Sequence, residues 1–500
     1  MSLAILMSRA QLGTAAPLVT IEVFLSGGLP SFSIVGMAET AVRESKDRVR
    51  SALISSGFRW PQERITVSLA PADMRKSGGR FDLAIALGIL AASRQLPGDA
   101  LRGTEFYGEL ALDGELRSVP ALLPAAIRAR EAGNAVLVPR PNAREAVLAR
   151  AEVRAADTLV GVAGHFGGAR AIEPEPPSRR RSVRRDEPDL ADVRGQAQAI
   201  RALEIAAAGG HNLLYIGPPG TGKSMLARRL PGILPAMTEK EALEAAAIRS
   251  VLGRQPDPLN WRCRPFRSPH HTASPAALVG GGRGPAPGEI SRAHNGVLFL
   301  DELPEFNRNV LEVLREPLEA GVITIARAGG QHDFPARFQL VAAMNPCPCG
   351  YLGDPRGDCG CSAERVASYR GKVSGPLLDR VDLHVEVRRP SRSALREDRP
   401  GGEPSRRVAA RVARARRIQL RRSGTCNARL EGAQLAADCA LAGEPLELLE
   451  KAVDTFNLSA RAYQRVRRVA RTIADLAREH DIARTHVAEA LSLRQLDKRR

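Results

Sequence analysis

A glycine-rich stretch at residues 217–224, GPPGTGKS, has the residue types and the spacing that bind the phosphates of a nucleotide. Its glycines let the backbone curl, so that several N–H groups point at phosphate oxygens beside the start of a helix. Lys223 can reach the β- and γ-phosphates, and the Ser224 hydroxyl can coordinate Mg²⁺. A purely structural turn is the alternative, but the apolar run NLLYI before the stretch and the helical run MLARRL after it favour a phosphate loop. The predicted nucleotide-binding residues are Gly217, Pro218, Pro219, Gly220, Thr221, Gly222, Lys223 and Ser224.

Two further apolar runs end in polar residues that suit hydrolysis of a nucleotide. The run GVLFLDEL at 296–303 ends in Asp301, which is suited to the Mg²⁺ shell, and Glu302, which can polarise the attacking water. The run FQLVAAMNP at 338–346 reaches Asn345, whose amide can orient that water or sense the γ-phosphate. These residues and the phosphate loop together predict an ATPase whose cofactors are ATP and Mg²⁺.

Four cysteines form two close pairs in the segment CPCGYLGDPRGDCGC. Thiolates in two such pairs can form a tetrahedral Zn²⁺ site of structural type. The C-x-C spacing is tighter than the usual C-x₂-C, and the alternative is a set of reduced, partly buried cysteines in a glycine-rich loop. The candidate zinc ligands are Cys347, Cys349, Cys359 and Cys361.

The charge of the chain indicates a polyanionic partner. Lys and Arg outnumber Asp and Glu by 73 to 55, a net charge of +18. Residues 389–500 contain 25 basic and 14 acidic side chains, a net of +11, so most of the excess lies in the last fifth of the chain. This concentration favours nucleic acid as the partner over a general preference for arginine in a GC-rich genome. Aromatic residues make up only 4%, which argues against a base-stacking platform.

The same sequence argues against a membrane or a secreted protein. No apolar run reaches the ~18 residues that a membrane span needs, and the first residues, MSLAILMSRAQLG, lack the pattern of a signal peptide. Four of the seven cysteines lie in one short segment, which does not resemble a secreted disulfide framework. We expect a soluble cytoplasmic protein.

Two charged, proline-containing segments divide the chain into three blocks. We predict linkers at 171–189 and 388–407, because such stretches cannot bury enough apolar surface to order themselves. Block 1–170 mixes strand-like and helical runs. Block 190–387 alternates strands and helices, which indicates an α/β fold with a parallel sheet, and block 408–500 is helical throughout.

Three segments of the middle block are similar to a known family. They are PFRSPHHTASPAALVGGG at 265–282, PGEISRAHNGVLFLDELPEF at 287–306 and NPCPCGYLGDP at 345–355. They resemble the branch of P-loop AAA+ ATPases that holds the magnesium-chelatase (ChlI-like) subunits and the MCM helicases. Within that branch the chain is most similar to the YifB/ComM group of Mg chelatase-like proteins. The resemblance implies an AAA+ core over 190–387 and a C-terminal helical lid over 408–500.

The resemblance also assigns roles to two arginines. Arg380 corresponds to the arginine finger that reaches into the ATP site of the neighbouring subunit, and Arg461 to the sensor-2 arginine of the lid. An arginine finger acting between subunits implies a ring, expected to be a homo-hexamer. From the residues alone, a salt bridge from Arg380 to Asp379 or Asp382, and a solvated helix face for Arg461, are the alternatives.

The N-terminal block resembles the C-terminal domain of Lon-type proteases, an α+β fold of the ribosomal S5 domain 2-like kind. The segments that are similar include APADMRKSGGRFDLAIALGILAAS and GELALDGELRSVPALLPAA. The proteases use a Ser–Lys dyad. Ser77 is the hydroxyl nearest the nucleophile position, and no lysine lies near Leu123, where the amine is expected. We therefore expect a scaffold or nucleic-acid-binding domain without protease chemistry.

Two further segments are candidates for contacts inside a ring. His270 and His271 lie in a segment that resembles an insert of this branch, and no carboxylate stands at metal-ligand spacing, so we expect a loop facing the pore. Residues 321–338 predict a hairpin turning at 329–330, with Arg327 as a candidate DNA-backbone contact. An exposed arginine without a role is the alternative.

The resemblance favours a hexameric, ATP-driven DNA translocase or branch-migration helicase acting on recombination intermediates in natural transformation. The alternative is a chelatase-type ATPase subunit that remodels a protein partner. A Lon-like protease is a third reading, which the missing lysine opposes.

Overall fold

The computed structural model describes residues 2–36, 42, 44–176, 187–256, 260–282, 286–327, 330–355, 357–390, 402–494 and 496. The larger part of both predicted linkers, residues 177–186 and 391–401, lies outside these ranges. The chain has a mixed α/β fold built around two large sheets.

The first sheet has seven strands in the order β3-β4-β2-β1-β5-β8-β9 and is mixed. β1 pairs antiparallel with β2 and parallel with β5. The helix Asp82–Ala92 packs on β1 and β2, and its sequence DLAIALGILAA is apolar on all sides, as a fully buried helix requires. The strands of this region are β1 Ser2–Arg9, β2 Leu18–Ser26, β3 Ser31–Val35, β4 Arg64–Ala70, β5 Thr104–Phe106, β6 Glu109–Leu110, β7 Leu116–Arg117, β8 Ala135–Pro139 and β9 Val153–Ala156. Its α-helices are Ser45–Ser55, Asp82–Ala92, Leu122–Glu131, Ala143–Ala146 and Leu159–Phe166.

The second sheet is parallel, with five strands in the order β11-β14-β17-β10-β18. Its inner strands are apolar and buried, as expected where helices cover both faces of a parallel sheet. The strands of this region are β10 Leu213–Ile216, β11 Phe266–Arg267, β12 Gly280–Gly281, β13 Ala286–Pro287, β14 Val297–Leu300, β15 Val322–Arg327, β16 Gly330–Pro335, β17 Gln339–Met344 and β18 Leu383–Glu386. Its α-helices are Ala197–Gly209, Lys223–Ala227, Leu230–Ile233, Glu239–Val251, Pro275–Val279, Glu289–Arg292, Arg308–Glu312, Arg315–Ala320, Ala363–Gly371 and Gly375–Leu378.

The parallel sheet confirms the alternation of strands and helices predicted for the middle block. The predicted hairpin is also present, since β15 pairs antiparallel with β16 and Arg327 lies opposite Gly330. Residues 328 and 329, between the strands, and the side chain of Arg327 are outside the described part, so a contact between Arg327 and DNA stays a prediction.

The described residues after 401 are helical, as predicted for the C-terminal block. The first helix begins at Ser405, within the segment predicted as a linker, and the side chain of Ser405 accepts a bond from the Leu190 amide. The C-terminal helices pack on the helix Ala197–Gly209 beside the parallel sheet, and they share one apolar core with it. They are Ser405–Ser423, Gly432–Asp438, Glu444–Phe456, Ala460–Ala477 and Arg484–Ser492.

A buried polar contact joins the first sheet's region to the second. The helix Glu239–Val251 packs against Leu122–Glu131. Ser250 Oγ donates to Glu145 Oε1 over 2.5 Å, and the Leu123 amide donates to the same oxygen over 2.7 Å. Burial raises the pKa of Glu145, against the opposing effect of these hydrogen bonds. The contact therefore fixes one helix against the other through a fully enclosed polar group.

Among the described residues, none of the helices combines the length and the apolar character that crossing a lipid bilayer requires.

Candidate nucleotide site

The predicted phosphate loop follows β10 at the carboxyl edge of the parallel sheet, and the helix Lys223–Ala227 begins directly after it. Gly220 and Gly222 have φ angles of +74° and +90°, in the left-handed region that glycine adopts without strain. A Cβ at Gly217 would lie 2.2 Å from the carbonyl oxygen of Val387, so the backbone passes too close to β18 for any side chain there. The glycines at these three positions are therefore required by the backbone, two by positive φ angles and one by a close approach.

Lys223 lies inside this loop and reaches the end of a neighbouring strand. Its Nζ donates to the carbonyls of Gly217 and Pro218 over 2.6 and 2.8 Å, and to Asn345 Oδ1 over 3.1 Å. Burial lowers the pKa of the Lys223 ammonium to about 8, although the charges of Asp301 and Glu302 oppose the shift. The ammonium is thus held by neutral oxygens that an anionic phosphate can replace.

Ser224 and Asp301 meet across the loop. The Ser224 hydroxyl donates to Asp301 Oδ2 over 2.5 Å. A hydroxyl and a carboxylate are hard oxygen ligands of the type that Mg²⁺ prefers. These two residues therefore fit a Mg²⁺ site beside the phosphate loop.

Glu302 follows Asp301 in a left-handed backbone conformation with φ +53°, which is uncommon for a residue with a side chain. Its amide donates to Asp301 Oδ1 over 3.0 Å, and its side chain is 54% exposed. His271 Nδ1 lies 3.2 Å from Glu302 Oε2. The Glu302 carboxylate is therefore exposed at the sheet edge and in contact with His271.

The contact between His271 and Glu302 was not predicted from the sequence. The sequence indicates pore contacts for the histidine pair and polarisation of the attacking water for Glu302, with no link between them. The two residues are far apart in the chain, and their approach depends on the path of the loop that contains His271. The ring of His270 packs against that of His271 at 4.1 Å between centroids.

Asn345 completes the group at the carboxyl edge. It directly follows β17, which lies between β14 and β10 in the sheet. The phosphate loop follows β10 and Asp301 follows β14, so three adjacent parallel strands present their ends to one place. The structure brings together Lys223, Ser224, Asp301, Glu302 and Asn345 on this edge.

Arg380 and Arg461 lie elsewhere, at the amino edge of the same sheet. Arg380 precedes β18, and its carbonyl accepts a bond from Asn212, the residue before β10. Arg380 Nη2 lies 2.5 Å from Glu319 Oε1, and Arg461 Nη2 lies 3.6 Å from the same oxygen. The partner of Arg380 is therefore Glu319 and not Asp379 or Asp382, the partners weighed from the sequence; Asp382 pairs with Arg465 at 2.5 Å.

A basic cleft with a volume of about 1020 Å³ opens beside Glu319 and Arg461. It lies between the amino edge of the parallel sheet and the C-terminal helices. Seven arginines and four acidic residues line it, so the cleft suits an anion. The arginines are Arg264, Arg337, Arg416, Arg429, Arg461, Arg465 and Arg468, and the acids are Glu241, Glu319, Asp382 and Glu431.

The four clustered cysteines converge in space. The sulfur atoms of Cys347, Cys349, Cys359 and Cys361 all lie within 4.8 Å of one another. None of the four is paired in a disulfide. The arrangement is compatible with one bound metal ion.

Comparison with known protein families agrees with the mixed α/β fold. The middle region, residues 189–395, matches the family described as magnesium chelatase, subunit ChlI. Residues 21–142 match the family described as subunit ChlI of Mg-chelatase, and residues 402–494 match the subunit's C-terminal family. The fold and the matches define a Mg chelatase-like AAA+ ATPase.

Individual relatives narrow the family further. The chain is 49% identical to competence protein ComM of Haemophilus influenzae, over 99% of this chain and 98% of that protein. It is 49% identical to the protein YifB of Salmonella typhimurium, over 100% of this chain and 98% of that protein. A magnesium-chelatase 38 kDa subunit of Cereibacter sphaeroides is 27% identical, over 39% of this chain and 57% of that protein. The chain belongs to the ComM/YifB family of Mg chelatase-like ATPases.

Proposed function

We propose that this protein is a ring-forming, homo-hexameric ATPase that moves along single-stranded or branched DNA. The observation that supports it most is the separation of two groups of charged residues on one sheet. The nucleotide-binding group lies at the carboxyl edge, and the arginine pair lies at the amino edge. An ATP site that uses both groups needs two copies of the chain.

Hydrolysis of ATP at the carboxyl edge follows from the side chains assembled there. The backbone N–H groups of residues 220–224 bind the phosphates, and Lys223 exchanges its bonds to Gly217, Pro218 and Asn345 for phosphate oxygens. Ser224 and Asp301 hold Mg²⁺, which when bound neutralises charge on the phosphates. Glu302, oriented by His271, accepts a proton from the attacking water, and Asn345 orients that water.

The distance across the sheet supports catalysis between subunits. β10 has four residues, which at about 3.3 Å each span about 13 Å. Arg380 lies before the start of β18, which runs parallel to β10, so it is at the opposite end of these strands from the phosphate loop of its own chain. A neighbouring copy that brings its ATP to the Glu319 carboxylate, on the wall of the basic cleft, receives Arg380 as the arginine finger and Arg461 as the sensor. A closed ring satisfies this head-to-tail contact in every subunit.

DNA is the proposed substrate because of the charge on the C-terminal helices. The helix Ser405–Ser423 has exposed arginines along its length. Such arginines contact phosphates irrespective of base sequence, and binding of this kind weakens with salt. The similarity to a protein named for competence favours recombination intermediates in natural transformation as the setting. The exposed arginines of this helix are Arg406, Arg407, Arg417 and Arg421.

We propose that the N-terminal region, with a Lon-like α+β fold and no protease dyad, is a scaffold for the motor. The buried contact of Ser250 with Glu145 supports this role, because it attaches the helix Glu239–Val251 to the N-terminal region. The position expected for the catalytic lysine is held by Leu123, whose amide is used in the same contact.

The test is steady-state ATP hydrolysis by the full chain, with and without single-stranded and branched DNA, at two salt concentrations. We expect DNA to increase the rate several-fold and added salt to reduce that increase. The variants Lys223→Ala and Glu302→Gln exclude a contaminating ATPase. A rate that ignores DNA would contradict the DNA-motor proposal and would favour remodelling of a protein partner, as in the magnesium chelatases that the middle region resembles.

A further inference from the structure

A long loop connects β17 to the helix Ala363–Gly371. None of the described residues between Met344 and Ala363 belongs to a helix or a strand. A loop of this length has no secondary structure to order it, so it needs other contacts to hold one conformation. The apolar side chain of Leu352 is 37% exposed. Hydrophobic burial is therefore a weak constraint on this loop.

The sulfur atoms of the loop have the spacing of a tetrahedral metal site. Cys347 Sγ lies 3.4 Å from Cys349 Sγ and 3.7 Å from Cys359 Sγ, and Cys349 Sγ lies 3.6 Å from Cys359 Sγ. In a tetrahedral Zn²⁺ site with Zn–S bonds of about 2.3 Å, the sulfurs are about 3.8 Å apart. A disulfide needs a separation of about 2.05 Å. The observed distances therefore match shared metal coordination and not a pair of disulfides.

A backbone amide donates to the buried sulfur of the cluster, as amides do to bound thiolates. The Leu352 amide donates to Cys347 Sγ over 3.4 Å. The turn that allows this has Gly350 at φ +86°, with its amide donating to the Cys347 carbonyl over 3.0 Å. Such donors outside the metal shell orient the ligands and stabilise their negative charge.

The same loop lies against the nucleotide site. A Cβ at Gly350 would lie 2.7 Å from Cδ of Pro219, so the loop backbone touches the phosphate loop directly. Cys347 is two residues after Asn345, which accepts a bond from Lys223. On the far side, Asp354 pairs with Arg389 at 2.6 Å, just beyond β18. The cysteine loop thus connects three strand ends of the catalytic edge.

We propose that Cys347, Cys349, Cys359 and Cys361 bind one structural Zn²⁺ ion, which holds this loop against the phosphate loop and fixes Asn345 beside Lys223. Four protein ligands close the site, so the ion has no position for a substrate. Zinc suits four thiolates in a tetrahedron better than Mg²⁺ or Ca²⁺, which prefer oxygen. The metal site is proposed independently of the proposed function. The effect of the metal on Asn345 rests on the proposed function.

Metal content of the purified full chain tests the site itself. We expect the wild type, purified under reducing conditions, to contain about one zinc per chain by mass spectrometry of the elements. Cys349→Ser changes an exposed ligand, so it should fold, and it should contain at least about fivefold less zinc. Cys263→Ser, at a half-buried cysteine outside the cluster, is the matched control and should keep the wild-type content. Replacing zinc by Co²⁺ in the wild type should give the intense visible absorption of tetrahedral thiolate coordination.

Three outcomes overturn the site. They are a wild type that contains no zinc and takes none up when it is added, full zinc content in Cys349→Ser, and iron in place of zinc.

The coupling to the nucleotide site has separate readouts. Cys349→Ser should be cleaved by protease within residues 347–361 at least about tenfold faster than Cys263→Ser, and its kcat/KM for ATP should fall about tenfold. Loss of zinc without a change in kcat/KM would refute the coupling and leave the metal site intact. A zinc-loaded wild type that hydrolyses no ATP would refute the proposed function alone.

Discussion

The two edges of the parallel sheet differ in how their cations are held. At the carboxyl edge, the Lys223 ammonium is bonded to neutral carbonyl and amide oxygens, and burial lowers its pKa to about 8. At the amino edge, Arg380 is buried but paired with Glu319, whose side chain is 52% exposed. Among the described residues, no carboxylate is hydrogen-bonded to the Lys223 ammonium, so a phosphate can replace its neutral oxygen partners. At the second edge, the Glu319 carboxylate pairs with Arg380, and a more highly charged anion such as a triphosphate can displace it.

This difference supports the proposal that two copies of the chain share one ATP. The Glu319 carboxylate is half-exposed and forms ion pairs with both Arg380 and Arg461. In the proposed ring, phosphate oxygens of the neighbouring site would take its place. Exchange of one carboxylate for a triphosphate preserves the ion pairing of both arginines. Under this proposal, the amino edge binds the ATP of the neighbouring chain.

Loss of Lys223 should have the largest effect. We expect Lys223→Ala to reduce ATP hydrolysis to the background rate, because its ammonium is the only lysine nitrogen that the structure places on the phosphate loop among the described residues. Lys451→Ala, at an exposed lysine of the C-terminal helices, should leave the rate unchanged. Steady-state phosphate release measures both. Substantial hydrolysis by Lys223→Ala would break the assignment of the carboxyl edge.

Loss of Arg380 should separate catalysis from binding. We expect Arg380→Ala to lower kcat about 10³-fold or more, because an arginine finger stabilises charge only in the transition state. Binding of a fluorescent ATP analogue should stay within about twofold of the wild type, since the phosphate loop of each chain is intact. Arg144→Ala, at an exposed arginine of the N-terminal region, is the control. If nucleotide binding and kcat fell equally, the carboxyl edge would not bind ATP independently of Arg380 at the amino edge.

His271 offers a smaller test at the carboxyl edge. His271→Ala should lower kcat about tenfold to a hundredfold with little change in KM, because the Glu302 carboxylate loses the group that orients it. His271→Gln should recover part of kcat, since its amide can still donate to the carboxylate. Steady-state kinetics at saturating DNA measure the separation of kcat from KM. An unchanged kcat in His271→Ala would show that the contact has no role in hydrolysis.

The pH dependence of ATP binding should show the smallest effect. With a pKa of about 8, the Lys223 ammonium is mostly charged at pH 7 and mostly neutral at pH 9. Because phosphate binds the charged form, the Kd of a non-hydrolysable ATP analogue should rise about tenfold between these values. Lys223→Arg stays charged throughout and should show a flatter profile. Equal slopes for the two proteins would assign the dependence to another group.

Local patterns could be predicted from the sequence, whereas contacts between distant segments could not. The phosphate loop and the acidic strand end are predictable because a glycine pattern and a short apolar run determine each of them within a few residues. The approach of Gly350 to Pro219 and of His271 to Glu302 depends on the paths of two loops. Arg380 shows why such contacts escape prediction. Its sequence neighbours Asp379 and Asp382 are the obvious candidate partners, but the structure pairs it with Glu319 of the helix Arg315–Ala320.

The sharing of one ATP site by two chains can be measured most directly by mixing two inactive variants. Arg380→Ala keeps the phosphate loop, and Lys223→Ala keeps the arginine, so a mixed ring contains some sites with both groups intact. We predict that each variant alone hydrolyses ATP at background and that an equimolar mixture recovers a measurable part of the wild-type rate, in the presence of DNA. A mixture as inactive as its components, although the two chains co-assemble, would contradict the account.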